Sequence, residues 1–354
     1  MEILSNKILS SRYKANGKAI LELNKSQIEA LNAIKSKIDS SKYVFEAVDC
    51  LNCNSNGFDL IAEKDRYGLA VSTVICRECG LLQTNPRMNQ NSYNDFYENH
   101  YRQLYSGNSI GTDVFFKNQH NHGKLIYDFI KQHINLEDLN IVEVGAGAGG
   151  ILSFFKEKGC TVWGVDLGSN YVDFGKEKGI ELFSGTIDVI FERKIKPNLV
   201  IYSHVLEHIL NPNIEIQKWY NYLDVGDMIY IEVPGLDNLT KNYRNDFLRY
   251  LQNAHTVHFN LAILESFMNK NGFDMMIGNE NVQALFVKRE LVTNKKKNNN
   301  YETVINILKK YESKRKNIFD SNNRKYFFSN VKNKSKRNIV SFLKNIGIYK
   351  FLKK

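Results

Sequence analysis

Ile141-Val142-Glu143-Val144-Gly145-Ala146-Gly147-Ala148-Gly149-Gly150 is the stretch whose reading decides the fold. It reads as a buried strand that carries an acid near its end and runs into a turn almost free of side chains. Nineteen residues past Gly147 stands Asp166, closing a second apolar strand, Val162-Trp163-Gly164-Val165. A strand, a side-chain-poor turn, a helix and an acid at the tip of the next strand make a nucleoside-binding unit. The glycines let the backbone approach a ligand, and the acid accepts hydrogen bonds from ribose hydroxyls.

Gly145, Gly147 and Gly150 also satisfy the dinucleotide spacing G-x-G-x-x-G, which is weak on its own. Three features favour S-adenosylmethionine over NAD. Glu143 lies two residues before the first glycine, where a carboxylate can reach a cationic methionine end but would repel a pyrophosphate. The glycines alternate as Gly145-x-Gly147-x-Gly149. The downstream strands end in a hairpin rather than in a second mononucleotide half.

On these residues the chain resembles the class I S-adenosylmethionine-dependent methyltransferases. The resemblance runs over about residues 125–289 and rests on E-V-G-A-G-A-G at 143–149, V-D-L at 165–167 and S-H-V-L-E-H at 203–208. The family's first-strand acid and glycines map onto Glu143, Gly145, Gly147 and Gly149, and its ribose acid onto Asp166. The family often opens its fourth strand with Phe-Asp; Pro197-Asn198 stand there instead, at a mostly structural position.

Two C-x-x-C knuckles, Cys50/Cys53 and Cys76/Cys79, are separated by 22 residues. Each turns two thiolates toward one point, and together they make a tetrahedral S4 site suited to zinc. Residues 58–62 and 69–75 between them read as strands around a turn at Arg66-Tyr67-Gly68, which makes a zinc ribbon. Four thiolates leave no open position, so the metal is structural. Cys160 stands apart, as a small buried residue. A ribbon ending in C-x-x-C-G-L-x-Q-x-N-P, a Tyr-rich segment and then this core resemble more narrowly the zinc-containing methyltransferases of deoxysugar and surface-polysaccharide biosynthesis. That resemblance implies a carbohydrate acceptor, often nucleotide-linked.

The 354 residues suffice for one large domain and a smaller one. The expected organisation is a helical segment at 1–44, the ribbon at 45–90, an α/β Rossmann-like seven-stranded methyltransferase domain at 91–290 and a basic helical tail at 291–354. Ser26-Gln27-Ile28-Glu29 fits a capping box before a helix whose apolar face is Ile28, Leu31, Ile34 and Ile38. No run of 18 apolar residues is present, and the first residues lack a signal peptide's apolar stretch, so a cytoplasmic protein with reduced thiols is expected. The net charge of +10 is uneven: residues 295–354 hold 18 Lys/Arg against 3 Asp/Glu, leaving 30 against 35, or −5, for the rest. Residues 295–300 read as a linker, followed by helix-like pieces at 302–316 and 338–352. The tail reads as a solvated appendage, as an interfacial helix that would place the protein at the inner membrane face, or as an RNA contact.

Ligands of an open parallel sheet bind at the carboxyl ends of its strands. This selects Glu143 to Gly149, Asp166, Leu167, Thr186 and Ser203 for the cofactor. Thr186 stands where the family often has an acid for the adenine amine. Glu207 and His208, read as lying on the helix after the fourth strand, are the candidate base and its orienter; the sugar C-methyltransferases that the chain resembles imply deprotonation by such a pair. His255 is a further candidate for the chemistry, and His258 and Tyr101 for substrate contact. Two His three apart could bind metal, but no third ligand is visible in the sequence. The leading function is methyl transfer to oxygen or carbon of a sugar. The alternatives are an RNA methyltransferase using ribbon and tail, for which strand four lacks the Asn/Asp-Pro-Pro-aromatic turn, and a non-catalytic cofactor-fold scaffold.

Overall fold

A computed structural model describes residues 8–105, 112–290 and 299–317. Its larger sheet has seven strands: β1 (Asn140–Val144), β2 (Thr161–Asp166), β3 (Leu182–Ser184), β4 (Leu199–Ser203), β5 (Met228–Glu232), β6 (Phe273–Asn279) and β7 (Gln283–Lys288). The order across the sheet is 6-7-5-4-1-2-3. Strands β1 to β5 pair in parallel, while β7 pairs antiparallel with both β5 and β6. The central strands are continuous apolar runs because helices cover both faces. The order in which strands are added to the sheet reverses between β1 and β4, so the crevice at their carboxyl ends is the place where such sheets bind ligands.

The principal helices on the sheet are α1 (Asp113–Ile130), α2 (Gly150–Glu157), α3 (Ser169–Glu177), α4 (Pro212–Tyr222) and α5 (Leu261–Lys270). Ile126 and Ile130 of α1 and Ile151, Leu152 and Phe155 of α2 are buried in one cluster with Ile141 and Ile201 of the sheet. Full burial of such a side chain contributes about 1.5–3 kcal/mol, enough to fix both helices beside the glycine turn. Among the described residues no helix is long and apolar enough to cross a membrane.

A second, four-stranded sheet holds the cysteine knuckles. Phe58–Ala62, Thr73–Cys76 and Leu82–Thr84 form an antiparallel meander, shorter in its second strand than the apolar run at 69–75 suggests. Its fourth strand is Val257–His258, which pairs with Leu82 and Gln83. This sheet is therefore not confined to residues 45–90. Residues 8–20 also bind to it: Leu9 N–H donates to Ile61 O, and Glu63 N–H to Tyr13 O.

Three local expectations change. The helix Lys25–Asp39 is capped by Asn24, not Ser26, with Gln27 closing a reciprocal box. Glu207 and His208 lie on a single 3-10 turn, Leu206–His208, and the next helix starts only at Pro212. A proline at the first helical position explains that delay. The helix α6 (Tyr301–Lys316) is no solvated appendage, because Val304, Ile305 and Leu308 are buried in the main core. Its ends are tied down: Asn300 N–H donates to Cys79 O, Tyr301 OH binds Asp59, and Tyr311 OH binds Asp237 O. The piece at 338–352 lies outside the described residues, as do residues 295–298 of the expected linker.

Candidate active site

The β1–α2 turn follows from its glycines. Gly145, Gly147 and Gly149 have φ of 69°, 56° and 74°. A Cβ on Gly145 would sit 2.4 Å from Val205 Cγ2, so the turn after β4 packs directly on the glycine bend. Gly149 caps α2 in the left-handed region, where a side chain is strained. Gln119 of α1, which no sequence motif marks, braces the bend from outside. Its Nε2 donates to Ala146 O at 3.0 Å, and Gly150 N–H donates to its Oε1 at 3.3 Å.

Glu143 is buried under the bend. Burial first, then the charge of Asp166, push its carboxyl well above the usual range. Its Oε2 has no hydrogen-bond partner among the described residues. An orphaned buried acceptor costs about 1–3 kcal/mol, which a cationic group placed against it would recover. Asp166 receives Gly147 N–H at 2.8 Å and Gly168 N–H at 2.6 Å, one on each oxygen. Each oxygen keeps a lone pair for a further donor. Arg102, stacked 3.8 Å over the Tyr171 ring, stands 3.6 Å from Asp166 Oδ1. Leu167 is 73% exposed beside this acid. Thr186 donates to Asp188 Oδ2 at 3.0 Å, so the acid missing at position 186 is present two residues later, paired with Lys218 at 2.7 Å. Ser203 ends β4 opposite Glu232 of β5.

Beyond Val205 the structure brings Glu207, His208 and His255 together. Glu207 is buried, and neither carboxylate oxygen has a hydrogen-bond partner among the described residues. Its Oε1 lies 3.7 Å from His208 Nε2, 3.8 Å from His204 Nδ1 and 3.9 Å from His255 Nε2. The third partner that the spacing of His255 and His258 lacked is thus supplied for His255 by the β4 turn. His208 Nδ1 lies 3.0 Å from Ala254 O and 2.6 Å from Tyr97 OH. Donation of the Nδ1 proton to the carbonyl leaves Nε2 as the basic nitrogen, turned toward Glu207. Burial lowers the His208 pKa against the opposing pull of Glu207, and lowers that of His255 much further. At His204 burial acts downward, but Glu207 and Glu232 together outweigh it and raise the pKa.

Tyr101 stacks on Tyr97 with ring centroids 4.5 Å apart and lies 5.8 Å from the His208 ring. The two tyrosines share one wide π turn, Tyr97–Tyr101, a helix variant that often marks functional sites. Tyr93 OH, buried between Ala254 O and His208 O, clamps the two loops. His258 is only 1% exposed and stands behind Tyr250 and His255, with burial bringing its pKa down to about 3. It supports the site from behind rather than lining it. The small sheet fixes His255: Thr84 Oγ1 donates to its carbonyl at 2.9 Å, and Thr256 N–H donates to Glu207 O at 2.8 Å.

Sequence reasoning also missed His122 and Glu232. His122 of α1 meets Glu232, at the end of β5, with Nε2 2.7 Å from Oε2. The His122, Tyr230 and Gln283 side chains converge on this carboxylate. His122 and His204 outweigh burial and hold its pKa below the ordinary value.

The four knuckle sulfurs lie within 4.8 Å of one another, with Cys50–Cys79 at 3.5 Å and Cys53–Cys76 at 3.4 Å. Tetrahedral bonds of about 2.3 Å require sulfur separations of about 3.8 Å, so small side-chain rotations would suit the set to one ion.

Residues 117–276 match the family model described as methyltransferase domain. No curated protein matches the chain. Among solved structures it is similar to a plantazolicin methyltransferase (12% identity, 56% of this chain and 94% of that one, TM-score 0.43). It is similar too to the magnesium protoporphyrin IX methyltransferase of Synechocystis (14%, 56% and 98%, TM-score 0.38) and to the CurJ carbon methyltransferase (15%, 56% and 58%, TM-score 0.35). The 6-7-5-4-1-2-3 sheet, the acid-flanked glycine bend and the match over residues 117–276 agree, and the chain carries an S-adenosylmethionine-dependent methyltransferase domain.

Proposed function

We propose that the enzyme methylates a sugar, free or nucleotide-linked, on oxygen or carbon. One observation carries the assignment of a base beside the cofactor site: a buried carboxylate, Glu207, without a hydrogen-bond partner among the described residues, ringed by three imidazoles and packed through Val205 against the glycine bend. When bound, S-adenosylmethionine supplies a methyl group already activated by the sulfonium charge. Glu143 would face its cationic methionine end, Asp166 its ribose, and Leu167 with Thr186 and Asp188 its adenine.

Much of the rate in such a displacement comes from alignment, and a sugar hydroxyl or acidic C–H also has a proton to lose. His208 Nε2 accepts that proton while Ala254 O and Tyr97 hold the ring. The Glu207 carboxylate stabilises the imidazolium as it forms, and His255 stands beside the same carboxylate oxygen, 3.9 Å away. The sugar class rests on the resemblance of the knuckle-and-core sequence, and the four cysteines would hold structural zinc. Incubation with isotopically labelled donor and a panel of nucleotide sugars, read by mass spectrometry, tests the reading. A labelled sugar is expected; transfer only to RNA or peptide acceptors would reject it.

A further inference from the structure

Glu232 stands between two imidazoles from different elements, on the open side of the Glu207 group. Its Oε2 lies 2.7 Å from His122 Nε2, and its Oε1 lies 3.7 Å from His204 Nε2. One ligand-type atom from each residue lies within 4.8 Å of the others. His204 is the unexplained member. Its backbone is left-handed, at φ 57°, a conformation that non-glycine residues hold at a cost and that clusters at ligand sites. Yet it stops at 3.7 Å from Glu232 and 3.8 Å from Glu207, short of a hydrogen bond to either. Its side chain is 50% exposed, so the cluster has an open mouth on the carboxyl edge of the sheet.

We propose that His122, His204 and Glu232 bind a divalent transition-metal ion, with the remaining coordination positions open to an oxygen of the acceptor. Two imidazoles and a carboxylate suit Mn, Fe, Co or Zn. Bonds of about 2.1 Å place neighbouring ligand atoms about 3.0–3.4 Å apart. His122 and Glu232 therefore separate by a few tenths of an ångström, His204 closes on Glu232 by as much, and the two imidazoles, whose ligand atoms lie within 4.8 Å, draw together as the ion binds. The carboxylate already has the outer hydrogen bonds that orient a metal ligand: Tyr230 OH at 3.3 Å and Gln283 Nε2 at 3.2 Å. The site is chemically distinct from the four sulfurs, and its binding of a cation does not depend on which acceptor is methylated.

The test uses the full chain and Mn2+ alone, an ion that thiolates bind weakly. Electron paramagnetic resonance counts the free ion during titration. One bound equivalent per chain is expected. His204→Asn and Glu232→Gln should each weaken binding at least about tenfold. Asn is tolerated in left-handed backbone, so His204→Asn keeps the fold, as circular dichroism would verify. His120→Ala removes the separate His120–Glu157 pair on the surface and should leave the titration unchanged. No bound Mn2+ at millimolar ion in folded wild type, or undiminished binding in both variants, overturns the assignment.

Discussion

The glycine bend and the Glu207 group share one sheet edge but are built in opposite ways. The bend and its acids come from one continuous stretch, residues 143–168, closed by hydrogen bonds spanning 19 and 2 positions. The Glu207 group is assembled across the chain. Tyr97 meets His208 over 111 positions, and Thr84 of the small sheet holds His255 over 171. A locally closed site should survive damage elsewhere, whereas a site assembled from distant segments should fail with any of its supports.

The most severe way to probe this difference is Cys76→Ser. Loss of one thiolate should release the knuckle metal and cost several kcal/mol, read as metal loss by elemental analysis and a fall of the unfolding midpoint by about 10 °C or more. Methyl transfer should fall with it through His255, while calorimetry still detects donor binding at the bend. Wild-type protein that contains no zinc would break this half of the comparison.

Next in size, Glu207→Gln or His208→Asn should slow transfer by about 10²–10⁴-fold, with donor affinity unchanged. The pH profile carries a sign. His208 must be neutral to accept a proton, and burial lowers its pKa, so it stays neutral below the usual histidine range. The acid limb of kcat/KM should therefore lie below pH ~6.5, with activity lost only as pH falls through the lowered value. A limb above that point would reject His208 as the base.

Asp166→Ala belongs to the local half. It should weaken donor binding by about 10–100-fold, the size of one or two hydrogen bonds to a charged acceptor, with the fold intact. Unchanged affinity by calorimetry would reject the ribose assignment. The smallest effect is expected at Gly145→Ala. Its φ of 69° and the Val205 contact should cost about 1–2 kcal/mol of stability, measurable by denaturant unfolding.

The same contrast explains what the sequence makes legible. Glu143, the glycines and Asp166 fall in one stretch whose periodicity and spacing are fixed by local backbone geometry. The strand and helix pattern gives the large sheet for the same reason, and paired knuckles bring four sulfurs together. Glu207 and His208 stand out because they are adjacent. Their companions do not: His122 lies on an ordinary amphipathic helix and Glu232 at a strand end, and only the packing of α1 beside the end of β5 makes them neighbours. Asp188 is hidden because Thr186, not Asp188, occupies the expected position. The docking of residues 301–316 could not be read either, since a basic composition hides a buried face of Val304, Ile305 and Leu308.

Val257–His258 completes a sheet whose other strands belong to the cysteine-bearing part. The chain therefore cannot be split near residue 90 into two pieces that fold apart, because one would lose an edge strand and the other the anchor of His255. Exchange of the N-terminal part between proteins of this build would have to carry the 254–260 segment with it to keep the sheet whole.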